Sequence, residues 1–143
     1  MNTKTHILSI SDLDLTKSYT IGDYLTWQFD EMIELIKGKI YRMSPAPRSG
    51  HQDISTNTCG NFFNLLRKSN STFRLYSAPF DVYLQGLDAG KTTVVQPDIC
   101  IICDFNKIED LGCVGAPDLI IEILSTSTIK NKLWIFNVCH NDR

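Results

Sequence analysis

The hydrophobic and polar positions along the chain predict several short strands and one long helix. Apolar residues recur near helical spacing from His51 to about Arg67, with Gly60 in the middle of this helix. A shorter helix is predicted from about Gly22 to Gln28. The other apolar segments are short and predict strands. The first strand begins near Ile33, and two short strands lie within Phe73–Leu84. The remaining predicted strands are Lys39–Met43, Thr92–Cys103 and Asp118–Leu124. The pattern therefore predicts helices and strands in one α/β (α+β) domain.

Turn-forming residues separate these elements. Lys37-Gly38 predicts a hairpin turn between the first two strands. Ser77-Ala78-Pro79 predicts a break between the next two strands, and the polar stretch Gln85–Lys91 predicts a loop. Residues 104–116 are predicted to form a connector. The apolar run that ends at Cys103 is too continuous for a strand with one wet face, so Thr92–Cys103 is predicted to lie in the centre of a sheet.

Length and composition are typical of one globular domain. The chain has 143 residues, of which 43% are hydrophobic and 21% charged. The net charge of -2 excludes a strongly basic nucleic-acid-binding protein, so any contact with DNA is expected to be local. The apolar runs are too short for a membrane helix, and Asp12 and Asp14 stand where a signal peptide would be apolar. We therefore expect a cytoplasmic protein with no membrane partner, whose five cysteines are reduced.

Two acidic residues lie at apolar strands, where an unpaired carboxylate is costly. Asp98 immediately precedes the apolar residue Ile99. Glu122 lies between Ile121 and Ile123 in the sequence, and alternation along the strand puts it on the same face as Ile120. If the two strands are neighbours, both carboxylates can bind one Mg²⁺. The alternative left open is that Asp98 caps a turn and Glu122 pairs with a lysine. Asp118 is four residues from Glu122 on one strand, about 13 Å away, and is expected to be structural.

Several ordered stretches resemble the Uma-two family of restriction-endonuclease-like proteins, relatives of the PD-(D/E)xK nucleases. The stretches that carry the resemblance lie between about residues 20 and 130 and are Glu34–Pro45, His51 at the start of a helix, Ala78–Val82, Val94–Ile99, Gly112–Leu119 and Ile121–Ser125.

The resemblance implies a mixed central sheet flanked by helices and a metal-dependent cut of a DNA phosphodiester bond. Asp98 and Glu122 are then the catalytic metal ligands for Mg²⁺ or Mn²⁺, and Glu34 is a candidate further ligand. His51 is a candidate phosphate contact, for which a helix-entry histidine bonded to backbone is the alternative. Arg42 and Arg48 are candidate DNA contacts, for which a solvated charged surface is the alternative.

The chain departs from the family pattern near its end. The lysine of the literal motif would stand two residues after Glu122, where this chain has Leu124, so Lys130 and Lys132 are the candidate catalytic lysines. We expect a carboxy-terminal truncation, with an N-terminal extension at residues 1–19, the nuclease-like domain at 20–132 and a divergent tail at 133–143. Apolar surface exposed by such a loss would favour marginal folding or association, including a homodimer.

Two other signals are weak. Gly90-Lys91-Thr92 lacks the preceding glycine and the following helix of a phosphate-binding loop, so no nucleotide cofactor is expected. Cys100 and Cys103 point to opposite faces if their segment is a strand, which argues against shared zinc.

The second functional hypothesis is a catalytically silent module that binds DNA or protein through the same scaffold. Metal binding would separate it from the nuclease.

Overall fold

The computed structural model describes residue 7 and residues 9–43, 48–84 and 92–123. The chain divides into two compact units, of which the first comprises Met1–Ser44 and Tyr83–Val95 and the second comprises Pro45–Val82 and Gln96–Arg143. The elements in chain order are α1 (Ile21–Tyr24), β1 (Ile33–Ile36), β2 (Lys39–Arg42), α2 (Ser49–Lys68), β3 (Arg74–Ser77), β4 (Val82–Leu84), β5 (Thr93–Val95), β6 (Ile99–Ile102), β7 (Ile108–Glu109), β8 (Gly112–Val114) and β9 (Leu119–Ile121). Among the helices of these described residues, none has the length and apolar character to cross a bilayer.

The first unit contains the predicted hairpin and a small sheet. Its strands run in the order β2-β1-β5-β4, and β1 pairs antiparallel with β2 and with β5. Lys37 and Gly38 both have positive φ, 53° and 77°. This geometry is that of a two-residue hairpin turn, whose twist matches the twist of the strands that it joins. The carbonyl of Gly38 accepts from the amide of Tyr19, 2.8 Å away, and this bond fixes the turn against the preceding segment.

Aromatic side chains pack against the buried apolar core of the first unit. Trp27 lies between Tyr19, at a ring-centroid distance of 5.2 Å, and Phe29, at 5.8 Å. These rings pack against Ile10 and Ile33, both almost fully buried. Part of the segment predicted as an N-terminal extension thus contributes apolar residues to a core, while the domain boundaries stay a prediction.

The second unit contains the long helix α2, which runs through Gly60 as the spacing of apolar residues predicts. No residue of α2, all of which the structure describes, is fully buried. The helix packs along one side, where the Phe63 ring meets the Phe73 ring edge-on at 5.9 Å. Arg67 and Lys68 occupy its last turn, where cations are favoured by the helix dipole.

A three-stranded sheet with the order β3-β6-β9 forms the rest of the second unit, together with the hairpin β7-β8. All four residues of β6 are buried, as expected for a central strand. Both neighbours of β6 run antiparallel to it, and the register pairs Ile99 with Ser77 on β3 and with Ile121 on β9.

Three elements differ from the sequence predictions. Helix α1 ends at Tyr24 rather than Gln28. The Thr26 hydroxyl donates a hydrogen bond to the carbonyl of Asp23 at 2.7 Å, and this local bond competes with continuation of the helix. Thr92–Cys103 forms two strands in different units, because Pro97 has no amide to continue a ladder. The connector 104–116 contains the hairpin β7-β8. Gln85–Lys91, predicted as a loop, lies outside the described residues.

Candidate functional site

Asp98 lies in the second unit at the residue before β6. Its carbonyl accepts from the amide of Ala78 at 3.0 Å, which continues the pairing of β3 with β6 by one step. Its side chain is 20% exposed, so the carboxylate is mostly buried but can still be reached from solvent. The backbone around Asp98 is therefore held by the sheet, while its side chain faces a partly open site.

The Asp98 carboxylate makes two hydrogen-bonding contacts through the same oxygen. Oδ2 accepts from the amide of Ile123 at 2.7 Å and contacts Nε2 of His51 at 3.3 Å. These partners are 25 and 47 positions away in the sequence, so neither bond is the local turn cap that the sequence left open. Oδ1 makes no hydrogen bond to any of the described residues. One carboxylate oxygen is thus fixed in place.

Glu122 follows directly after β9, and the strand register places it next to Asp98. Ile99 pairs with Ile121, so the same antiparallel register continued by one residue sets Asp98 opposite Glu122. Directly opposite residues of antiparallel strands have Cβ atoms about 5 Å apart. The two acids lie at the ends of neighbouring strands, and Glu122 lies beyond the end of its strand and is exposed.

His51 lies in the first turn of α2, as its position in the sequence predicts. Its backbone amide donates to the carbonyl of Arg48 at 3.0 Å. Its side-chain ring contacts Asp98. The side chain is 18% exposed. Its second ring nitrogen, Nδ1, is buried and has no hydrogen-bond partner among the described residues. The family resemblance predicts that His51 borders the site, but residue spacing alone does not predict its contact with Asp98.

Asp81 and Gln96 form a polar contact near the site that sequence reasoning did not assign. Nε2 of Gln96 donates to Oδ1 of Asp81 at 2.6 Å, and the carbonyl of Asp81 accepts from the amide of Cys113 at 2.9 Å. These bonds hold the segment that leads through Pro97 to Asp98. The available signal was that both side chains are polar and directly flank short apolar strands.

The other predicted site residues are distributed over the chain. Glu34 is on β1 of the first unit and is 3% exposed, and Arg42 is exposed at the end of β2. Arg48 is exposed at the start of α2 in the second unit, where its side chain makes no capping bond. Lys130 and Lys132 lie outside the described residues. The roles given to these five residues stay predictions.

Asp118 has the structural role expected for it. Its Oδ2 accepts from the amide of Cys103 at 2.7 Å, and its own amide donates to the carbonyl of Ile101 at 2.9 Å. Both bonds join the start of β9 to β6. They keep these two strands, and therefore Asp98 and Glu122, in register.

The donor set at the site suits a hard divalent cation only in part. Within the described ranges, no group of three or more His, Cys, Asp or Glu side chains is arranged to bind a metal ion. Mg²⁺ is commonly held by one or two carboxylates and otherwise by water and substrate phosphate. Asp98 and Glu122 carry oxygen ligands of this type, and their role in metal binding stays a prediction.

Comparison with known proteins agrees with the resemblance seen in the sequence. A sequence model of the Uma2 family, described as "Putative restriction endonuclease", matches residues 21–138 and so extends into the segment expected to be divergent. A crystal structure of a "putative nuclease belonging to DUF820" from Anabaena variabilis shares 24% sequence identity with this chain, at a TM-score of 0.55. The match covers 78% of this chain and 64% of that protein. No curated protein matches the chain.

The structural match confirms the nuclease-like α+β fold that was predicted. The match to the family spans well over half of the residues, and it includes both Asp98 and Glu122. The protein therefore belongs to the Uma2 family.

Proposed function

We propose that the protein is a metal-dependent endonuclease that hydrolyses phosphodiester bonds in DNA. The observation that supports this proposal is the register of β6 and β9, which, continued by one residue, sets Asp98 opposite Glu122 at one end of the sheet. Membership of a family described as restriction endonucleases supports DNA as the substrate.

The two acidic residues supply oxygen ligands at the site. Bound there, Mg²⁺ or Mn²⁺ would supply a water with a lowered pKa and would neutralise the charge that builds on the phosphate. Asp98 would hold the cation through its carboxylate, whose Oδ2 already accepts from the amide of Ile123. Glu122 is exposed and would supply the second carboxylate.

Contacts with DNA are local rather than spread over the surface, because the net charge of the chain is -2. In the second unit Arg48 is an exposed candidate for a phosphate contact. A catalytic lysine would orient the water or stabilise the developing charge, and Lys130 and Lys132 are the candidates.

A cleavage assay tests the proposal. Purified protein is incubated with supercoiled and linear DNA in Mg²⁺ or Mn²⁺, and the products are separated by gel electrophoresis. We expect cleavage that EDTA abolishes and that falls about 100-fold or more in Asp98→Asn and Glu122→Gln, because metal ligation contributes several kcal/mol to the transition state. Lys130→Ala and Lys132→Ala identify which lysine, if either, is needed.

Asp110→Asn is the matched control, since it removes an exposed carboxylate at the β7-β8 turn of the same unit. Thermal unfolding of each variant shows whether it is folded. Absence of both cleavage and Mn²⁺ binding in the folded wild type would contradict the nuclease proposal and favour the silent binding module. Cleavage that survives in Asp98→Asn would place the metal elsewhere.

A further inference from the structure

We infer that His51 is a positioning residue for Asp98, and not a phosphate contact, and that Nε2 of its ring donates a hydrogen bond to the carboxylate. This inference rests on the proposed function for its purpose, which is to hold the carboxylate for a cation. The contact between His51 and Asp98 stands independently of that function.

The hydrogen-bond partners of the ring determine the tautomer. An ionised carboxylate can only accept hydrogen bonds, so Nε2 of His51, at 3.3 Å from Oδ2 of Asp98, must be the donor. The other nitrogen, Nδ1, is buried without a partner among the described residues. A buried N–H without an acceptor is costlier than an unused lone pair, so the neutral ring keeps Nδ1 free of its proton. Both nitrogens indicate the same tautomer.

The two donors to Asp98 act together on one oxygen. The amide of Ile123 and the ring of His51 approach Oδ2 from β9 and from α2, which are different elements of the second unit. Rotation of the carboxylate would break both bonds. Oδ1 is therefore held in a fixed direction, and groups that fix a ligating carboxylate in this way strengthen metal binding.

Direct contact with DNA would require the ring to present a donor to the phosphate. Nε2 is engaged by Asp98, Nδ1 is buried, and the side chain as a whole is only 18% exposed. The geometry thus favours action through Asp98. The two roles differ in one measurable respect: a positioning residue affects cation affinity in the absence of DNA, whereas a phosphate contact affects only DNA binding.

Two measurements on the full chain test this inference. The first is calorimetric titration with Mn²⁺ alone. We expect His51→Ala to weaken binding by about 10-fold or more. His51→Gln, whose amide N–H can take the place of Nε2–H, should restore most of that loss. Gln52→Ala, an exposed change one residue along the same helix, should leave the affinity unchanged. Equal Mn²⁺ affinity in wild type and His51→Ala, with weaker DNA binding in the variant, would overturn the inference in favour of phosphate contact.

The second measurement needs no metal. Long-range ¹H–¹⁵N NMR correlations of the histidine rings in mildly alkaline buffer, where an imidazole is neutral, show which nitrogen carries the proton. His51→Ala identifies the resonances. We expect the Nε2–H form, and an Nδ1–H form would overturn the inference. If the folded wild type bound no Mn²⁺, the metal-dependent function would fail, and this spectrum would still decide whether His51 donates to Asp98.

Discussion

Burial sets the chemistry of individual cysteines in the second unit. Cys100 lies on the central strand β6, is 1% exposed, and has its pKa raised to about 12, chiefly by burial and further by the neighbouring Cys113. Cys103 lies just beyond the same strand and is exposed. The pKa of Cys103 is also raised, first by partial burial and then by Asp118, with Lys107 opposing. Exposure, more than acidity, therefore distinguishes the two thiols.

We predict that iodoacetamide modifies Cys103 long before Cys100 in the native protein, because Cys103 is exposed to the reagent whereas Cys100 is 1% exposed. Peptide mass spectrometry after timed labelling measures both sites. In urea the two should react at similar rates. Native labelling of Cys100 at the rate of Cys103 would show that β6 is open to solvent.

The same pKa has a consequence for stability. Because burial raises the folded-state pKa of Cys100 from 9.0 to about 12, the folded state favours the neutral thiol. Its stabilising effect is complete below pH 9.0 and is lost as the pH rises towards 12. The free energy of unfolding is thus expected to fall across this alkaline range.

At the level of elements, two glycines that look alike in sequence have opposite structural roles. Gly38 has a φ of 77°, and a Cβ built there would lie 3.1 Å from the carbonyl oxygen of Tyr19. Gly60 lies within α2, and a Cβ there would meet nothing within 4 Å. The first glycine is required by its turn. The second only weakens its helix.

We predict that Gly38→Ala destabilises the protein by about 1–3 kcal/mol, because alanine is strained at positive φ and crowded by backbone. Gly60→Ala should stabilise it by up to about 1 kcal/mol, since alanine is the better helix former. Urea unfolding followed by circular dichroism measures both. A stabilising Gly38→Ala would mean that the hairpin adopts another turn.

Element positions could largely be predicted from the sequence, because hydrophobic spacing and turn residues are local signals. The Lys37-Gly38 hairpin, the helix through His51 and the buried strand at Ile99 all follow from them. The division of Thr92–Cys103 between two units could not be predicted, because strand pairing depends on distant partners. For the same reason the contact between His51 and Asp98, which are 47 positions apart, could not be predicted from the local spacing of residues.

At the level of the whole molecule, ligand binding is expected to be coupled to stability. A cation that binds only the folded chain stabilises it in proportion to the logarithm of its concentration above Kd. We predict that saturating Mn²⁺ raises Tm by about 5 °C and that EDTA reverses the rise. Differential scanning fluorimetry measures this. Asp98→Asn should lose the shift, and Asp110→Asn should retain it; a shift that persists in Asp98→Asn would indicate a different cation site.

The first unit is built from two separated pieces of chain, residues 1–44 and 83–95. Lys37 donates its amide to the hydroxyl of Thr93, 56 positions later, and β1 pairs with β5 across the same interval. During synthesis the β1 edge of the amino-terminal hairpin therefore has unpaired backbone groups until residue 95 has left the ribosome. Long-range closure of this kind slows folding relative to local contacts. Between the release of the hairpin and the release of β5, the unpaired edge of β1 is therefore open to pairing with other chains.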